Sequence, residues 1–306
     1  MRWDREVDVV SVGSGAGGLA SAIVAVDAGQ TVFVAHTGPP PEAVAPPRLT
    51  IPGRLNVPGR LNIEVSDVET NAYLDAVTEV LHSARPDTPP VDVPLRVVAD
   101  PPSFRSCTPH RNVVEPFVGA RLGQWAAECV AASHCLVYSH VTRRNLTTMR
   151  AESGEKFETA VVGVLAPGIP RDGRSIADWL SRQAQTRGVD VHRDSTLERL
   201  VFESGQVVGA VVRTPQGPCA VAARAGVVVT AAGASDAIAP VAASGPLQVC
   251  VVSRTASRFA RLELMTRVRV SGRAVASSAP RSHGLNARAK CHTVPPGQLH
   301  DGGCEL

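Results

Sequence analysis

Three glycines, Gly13, Gly15 and Gly18, stand in the spacing G-x-G-x-x-G within the run Gly13-Ser14-Gly15-Ala16-Gly17-Gly18. The chemistry open to such a run is capture of an anion by the backbone. A glycine in the first place permits a tight strand-to-helix turn, one in the second lets a diphosphate approach the main chain, and one in the third lets the helix lie close to the strand. The phosphates then meet unpaired amide N–H groups at the positive end of the helix dipole. A plainer reading is a strand-turn-helix that happens to be rich in glycine. Against it, every part of the larger unit is present: an apolar strand over residues 7–12, a small-residue helix over 19–28 ended by Gly29, and a second strand over 31–35.

Units of this kind usually carry a carboxylate at the end of the second strand, where it accepts hydrogen bonds from ribose hydroxyls. Counting from Gly13 puts His36 at that place. Imidazole can bond a hydroxyl, but it lacks the charge-assisted acceptor pair of a carboxylate.

Other chemistry-bearing residues carry less. Cys129, His134, Cys135 and His140 fit no standard metal-ligand spacing, and Cys129 belongs to an apolar helix face, so core and surface roles are expected and no metal. No G-x-S-x-G elbow occurs. Tyr73 and Tyr138 are expected in the core, and Arg143 and Arg144 as a solvated pair, so no catalytic residue is assigned.

The elements that must position the turn follow from pattern. After a proline-rich stretch from Pro39 to Pro58, which contains the duplicated hexapeptides Ile51–Asn56 and Val57–Asn62, residues 66–82 predict a helix with a Ser66/Glu69 capping box. The duplication reads as a slipped insertion in a surface loop. A second helix is predicted over 119–134, with Leu122, Trp125, Ala126, Cys129 and Val130 on one face, and a strand over 135–138. A third helix starts at Ser175 and stops at Gly188, followed by a short strand over 189–193. Strands over 197–203 and 207–212 form a hairpin through Ser204-Gly205-Gln206, and further strands cover 219–225 and 226–233.

Composition bounds the rest. A chain of 306 residues that is 44% hydrophobic can bury a core, and its 4% of aromatics makes that core one of Val, Ala and Leu. No apolar run is long enough to cross a bilayer, and the N-terminus enters the first strand without room for a signal peptide, so a cytoplasmic location is expected. Seven cysteines, odd in number and without C-x-x-C, predict reduced thiols. Residues 1–250 carry 22 Lys+Arg against 25 Asp+Glu and residues 251–306 carry 9 against 3, so the basicity belongs to the tail and no nucleic-acid partner is expected.

The order of these parts resembles the FAD-binding domain of the fumarate reductase and succinate dehydrogenase flavoprotein family, including the ketosteroid Δ1-dehydrogenases. The resemblance rests on DVVSVGSGAGGLASAIVAVDAGQTVFVAH, GRSIADWLSRQAQTRGVDVHRDSTLERLVFESGQVVGAVV and ARAGVVVTAAGA. It implies an α/β, Rossmann-like FAD-binding fold, a parallel sheet with a three-stranded β excursion, built from residues 1–38 and 170–240. Residues 39–169 become an inserted, incomplete cap-like region and 241–306 an irregular tail that replaces the family's C-terminal half, by truncation or a change of reading frame. The resemblance further implies that Gly13, Ser14, Gly15, Ala16 and Gly18 hold the pyrophosphate of FAD. His36 stands in place of the ribose-binding Glu, the Leu197 backbone meets adenine, and Ala232 and Gly233 turn over the diphosphate side. The family's glycine- and serine-rich loop after the second strand is replaced here by the proline stretch. The implied function is an FAD-dependent oxidoreductase that passes a hydride through flavin to or from a small-molecule substrate, steroid-like or a dicarboxylate, with an unidentified electron acceptor. A non-catalytic remnant of such a flavoprotein is the alternative. An NAD(P)-binding dehydrogenase is a third reading, which the hairpin excursion and the closing Ala-Ala-Gly turn oppose.

Overall fold

The apolar run before the glycines forms β1 (Arg5–Val12), and the small residues after them form α1 (Ala16–Asp27). The computed structural model describes residues 2–35, 65–79, 93–99, 118–132, 134–141, 146–151, 155–166, 168–169, 172–192, 194–230 and 246–268. The proline stretch, the duplicated hexapeptides, Arg143 and Arg144, His36, Ala232 and Gly233 lie outside them.

Helix α1 has no charged side chain before Asp27, and its residues from Ala16 to Ile23 are buried. It ends at Ala28, where Gly29 takes φ +74°, the Gly29 N–H donates to the Val26 carbonyl and the Gln30 N–H donates to the Ala25 carbonyl. Those two bonds satisfy carbonyls the helix leaves open, in a conformation glycine adopts without a Cβ penalty. The chain then enters β2 (Val32–Ala35).

Between β2 and the second half of the sheet come α2 (Val68–Glu79), β3 (Leu95–Ala99), α3 (Val118–Ala131), β4 (Cys135–Tyr138), β5 (Thr147–Arg150) and β6 (Lys156–Leu165). There follow α4 (Gly173–Thr186), β7 (Val191–His192), β8 (Thr196–Glu203), β9 (Gln206–Thr214) and β10 (Gly217–Thr230). Last of the described elements are β11 (Leu247–Ser253) and β12 (Phe259–Val268). Among the described residues the strands make one sheet in the order β5-β6-β11-β12-β4-β10-β1-β2-β7, with β3 paired to β12 and β8 to β9, which pairs to β10.

The part of the sheet that carries the glycine turn is parallel: β10, β1, β2 and β7 run the same way, as the α/β reading requires. Strand β10 is one long strand where two were expected. Its outer edge pairs with β9 up to Ala222 and with β4 from Val228. Between them lies a bulge, since Val7 pairs with Ala223 but Val9 with Gly226. Gly226 has φ +125°, and a Cβ there would lie 2.7 Å from His140 Nδ1. The bulge bends the strand from the three-stranded excursion into the main sheet. The hairpin β8–β9 turns at Ser204-Gly205, both with positive φ.

Alternation along the strands sorts the core. On one face α1 and α4 cover Leu136, Val228, Val249, Val251, Leu262 and Leu264. On the other, the β8–β9 excursion covers Val10, Val12, Val227 and Val229, while α3 covers Cys135, Val137, Cys250 and Val252. Trp179 of α4 lies across Gly163 of β6, its ring 3.0 Å from where a Cβ would stand.

The described parts of residues 39–169 are strands and helices of this one sheet and its layers. After residue 241, Leu247–Ser253 and Phe259–Val268 are two further strands of the same sheet. Strand β11 is apolar on both faces because it is covered on both, which removes the polar alternation that marks a half-exposed strand. In β12 the charges of Arg261 and Glu263 interrupt the pattern, yet Glu263 is buried and paired.

Helix starts are set by aspartates rather than the expected serines. Asp67 Oδ2 accepts from the Thr70 N–H at 2.8 Å and from its hydroxyl at 2.7 Å, so Asp67, not Ser66, caps α2. Asp172 accepts from the Ser175 N–H at 2.8 Å and the Ser175 hydroxyl at 2.9 Å, so Asp172 caps α4 and Ser175 sits inside the first turn. The backbone and hydroxyl bonds from Ser175 hold the Asp172 carboxyl below its ordinary pKa. Asp172→Ala should therefore cost about 1 kcal/mol, a fall of about 2–4 °C in Tm. The loss should shrink as pH falls through the carboxyl's folded pKa, because a depressed carboxylate stabilises only while ionised. Thermal melts of the variant and the parent across the acid range check both.

Candidate functional site

The glycine turn lies at the carboxyl ends of three strands that finish level, with Val12 paired to Val229 on one side and to Ala35 on the other. In open α/β sheets ligands bind at this end. The Gly13 N–H donates to the Ala35 carbonyl at 2.9 Å, which ties the turn to β2. Across the turn, the Thr230 hydroxyl donates to the Val12 carbonyl at 3.2 Å and ties it to β10. The first and third of the segments quoted for the resemblance, far apart in sequence, are thus neighbours in the sheet.

The glycines do three different things. Gly13 has φ +102°, and a Cβ there would lie 2.2 Å from Thr230 Oγ1. A Cβ on Gly18 would lie 1.9 Å from the Gly13 carbonyl oxygen, so the absence of a side chain is what lets α1 rest on the turn. Gly15 differs: it is exposed, its φ of −63° and ψ of 177° suit any residue, and a Cβ there would meet nothing within 4 Å. The open space over Gly15 is therefore not needed for packing. It is the cradle a side chain would begin to fill.

Gly15 is also the N-cap of α1, and no side chain caps the helix or places a carboxylate in its first turn. The first N–H groups of a helix have no intrahelical acceptor, and they form the positive pole of its dipole. Ala16 is buried beneath them and Ser14 stands half-buried beside the cradle. A helix start left without a cap, under open space, next to two strand ends fits a diphosphate in its shape and in its donors. Of the residues expected to hold the cofactor, Gly13, Ser14, Gly15, Ala16 and Gly18 are brought together here. Leu197 lies on β8, buried in the same apolar cluster as Val12 and Ala35. His36, Ala232 and Gly233 lie outside the described residues.

A cavity of about 70 Å³ lies elsewhere, between Ser21 and Val24 of α1, Tyr138 and Gly226. It sits toward the amino ends of the parallel strands, away from the turn, and has room for water rather than a nucleotide. Tyr138 is in this region, with its hydroxyl 3.3 Å from Ser21 Oγ, and burial raises its pKa against the lowering effect of that bond. Tyr73 packs edge-on against Phe202, their ring centroids 5.5 Å apart.

Cys129 on α3 and Cys135 on β4 are fully buried, and burial pushes Cys129 well above its ordinary pKa and Cys135 up to about 12. Both are thiols that pack, not thiolates that ligate or attack. Among the described residues no group of three or more His, Cys, Asp or Glu is placed to hold a metal ion, and no helix is long and apolar enough to cross a membrane.

Among solved structures, the open conformation of a flavocytochrome c3 fumarate reductase is 16% identical, with 72% of this chain and 33% of that chain covered and a TM-score of 0.31. The 3-ketosteroid Δ4-(5α)-dehydrogenase from Rhodococcus jostii RHA1 is 16% identical, with 74% and 46% covered and a TM-score of 0.29. The 3-ketosteroid Δ1-dehydrogenase from Sterolibacterium denitrificans is 16% identical, with 73% and 47% covered and a TM-score of 0.30. The chain spans about a third to a half of the length of these structures. No curated protein matches the sequence. The FAD binding domain family, by contrast, matches residues 8–275, from within β1 past the end of β12. With its glycine turn, its parallel strands and its excursion all inside that span, the chain belongs to the FAD binding domain family.

Proposed function

We propose that the protein is an FAD-dependent oxidoreductase that transfers a hydride to or from a small organic molecule, with a steroid-like compound or a dicarboxylate as the substrate classes to test first. The observation that carries this reading is the cradle over Gly15, an uncapped helix start beneath space that packing leaves free. FAD, once bound, supplies the ring that accepts and returns the hydride. What the chain itself supplies is position. Gly13, Gly15 and the first turn of α1 hold the diphosphate, while Thr230 and Ala35 fix the turn to strands on either side so that the anion meets donors already oriented. No described residue is assigned as the acid or base.

The test is spectroscopic. Purified protein should show the visible absorbance of oxidised flavin, or acquire it with added FAD and quench the flavin's fluorescence. Anaerobic addition of a 3-ketosteroid, or of succinate, should then bleach that absorbance. Protein that stays colourless and takes up no added FAD overturns the reading, and so does flavin-loaded protein whose absorbance responds to no reductant.

A further inference from the structure

The cavity between α1 and the sheet holds polar groups that the fold does not use up. Ser21, Tyr138 and His140 line it beside an apolar wall that includes Val24, Val228 and Val251, and none of its lining residues is Lys, Arg, Asp or Glu. Ser21, Val228 and Val251 are buried, while Gln30, His140 and Leu146 are half-buried, so the approach is from the side of the last three. Its volume of about 70 Å³ is several times what one water needs and about half that of an apolar cavity that takes up benzene. At about 1.5 Å per residue, Ser21 and Val24 stand about 9 and 14 Å along α1 from Gly15, so the cavity and the diphosphate cradle are separate places.

The bonds around the cavity decide which groups remain open. Gly226 has φ +125°, and a Cβ there would lie 2.7 Å from His140 Nδ1 and 2.9 Å from Ser139 Oγ, so the bulge of β10 leaves the space in which that pair sits. The Val227 N–H donates to Ser139 Oγ at 2.8 Å, and Ser139 Oγ stands 3.0 Å from His140 Nδ1. The Ser139 proton then goes to Nδ1, which puts the ring hydrogen of His140 on Nε2. That Nε2 has no bond among the described residues. Across the cavity, the Tyr138 and Ser21 hydroxyl oxygens are 3.3 Å apart, beyond the usual span of about 2.5–3.0 Å, so each holds the other only weakly. Burial raises the Tyr138 pKa, which keeps its hydroxyl a donor. Two donors in want of an acceptor thus face a room without charge.

We infer that this cavity binds a small neutral carbonyl compound, a short ketone or amide, whose oxygen accepts from His140 Nε2–H and the Tyr138 hydroxyl while its aliphatic part lies against Val24, Val228 and Val251. Donors on the protein call for an acceptor on the ligand, and a carbonyl oxygen has lone pairs for both. A carboxylate has them too, but its charge would be buried with no cation in the lining to meet it. Waters would satisfy the donors, yet the apolar wall offers them nothing. The site stands apart from the FAD reading, and neither depends on the other.

The experiment is a titration of the full chain with butanone, followed by amide proton–nitrogen correlation spectra. Ser21, Tyr138 and Val227 should shift saturably and Gly13 and Gly15 should not, with a dissociation constant in the millimolar range, about what five heavy atoms can reach. Tyr138→Phe should melt as the parent does, because its hydroxyl is only weakly held in the fold, and should bind butanone about three- to tenfold more weakly. Butyrate, of similar size but charged, should bind the parent at least about tenfold more weakly than butanone. Ala25→Leu, which fills the cavity from α1 and touches neither donor, should abolish the shifts, and it decides the matter should Tyr138→Phe not fold. Butanone that gives no saturable shift overturns the inference, since the cavity then holds water alone. Butyrate that binds as well as butanone overturns it also, as does a folded Tyr138→Phe that binds as the parent does.

Discussion

Gly15→Asp should lose FAD and keep its fold. In most glycine turns a substitution damages both at once, and the two effects cannot be separated. Here they can, because a side chain at Gly15 meets nothing within 4 Å and the backbone there is ordinary for any residue. As an N-cap, aspartate matches or slightly exceeds glycine, and its charge favours the positive end of α1 by about 0.3–1 kcal/mol. Stability should therefore stay level or rise slightly. The diphosphate, however, needs the same space and the same amides. Two like charges about 4 Å apart at an effective dielectric near 20 repel by about 4 kcal/mol. Affinity for FAD should drop about 100-fold or more, with Gly15→Ala losing less because it adds bulk without charge. Gly18→Ala is the contrast: its methyl would stand 1.9 Å from the Gly13 carbonyl oxygen. Overpacking of that kind costs about 1–3 kcal/mol, so this variant should melt earlier as well as bind less. Fluorescence titration beside urea unfolding distinguishes the three. A Gly15→Asp protein that binds FAD as the parent does would remove the cradle from the site.

The glycine turn was legible because everything that defines it is local. Spacing, a strand on one side, a helix on the other and a left-handed glycine at its end all lie within about 25 residues, and short-range sterics decide them. The same is true of α4, whose end at Gly188 repeats the α1 ending, with the Gly188 N–H donating to Gln185 and the Val189 N–H to Ala184. Helix starts were less legible by one to three residues. Ser66 and Ser175 satisfied the sequence rule, but Asp67 and Asp172 offer a carboxylate that accepts a backbone N–H and a hydroxyl together, and the stronger acceptor takes the cap. What stayed hidden was long-range. Nothing in residues 247–268 says that α1 and α4 will cover one face and α3 the other, so the place of β11 and β12 in the sheet could not be read from their residues. The turn was visible and the bulge of β10 at Gly226 was not, since a bulge exists only relative to the partner strand.

Glu263→Ala should destabilise the protein by about 3–5 kcal/mol, a fall of about 10 °C in Tm. Glu263 is 1% exposed on β12 beneath α3. Its Oε2 accepts from Arg96 Nε at 2.6 Å, and its Oε1 accepts from Arg96 Nη2 at 2.9 Å and from Arg261 Nε at 2.8 Å. Around that centre, Arg261 reaches Glu128 at 3.5 Å, Arg96 reaches Glu155 at 3.7 Å, and Arg254 pairs with Glu155. Three guanidiniums thus meet three carboxylates, and all three arginines also lie over aromatic rings, Arg96 at 4.6 Å from the Phe157 centroid and Arg261 and Arg254 at 4.7 and 5.3 Å from that of Trp125. Removing the central carboxylate leaves two nearly buried cations facing each other, and the cost is their desolvation rather than the worth of the lost bonds. The double variant Glu263→Met with Arg96→Met should therefore be more stable than Glu263→Ala alone, because it removes a charge along with its partner. Burial by itself would raise the Glu263 pKa, but the bonds from Arg96 and the charges of Arg96 and Arg261 outweigh it and hold the carboxyl below its ordinary 4.5. A depressed carboxylate stabilises fully above its unfolded pKa and loses that stabilisation as pH falls through the folded one. The parent should accordingly weaken on acidification below about pH 4.5, and the gap to Glu263→Gln should narrow over the same range. Urea unfolding at a series of pH values measures it; a gap that stays constant into acid would mean that Glu263 carries no charge in the folded protein.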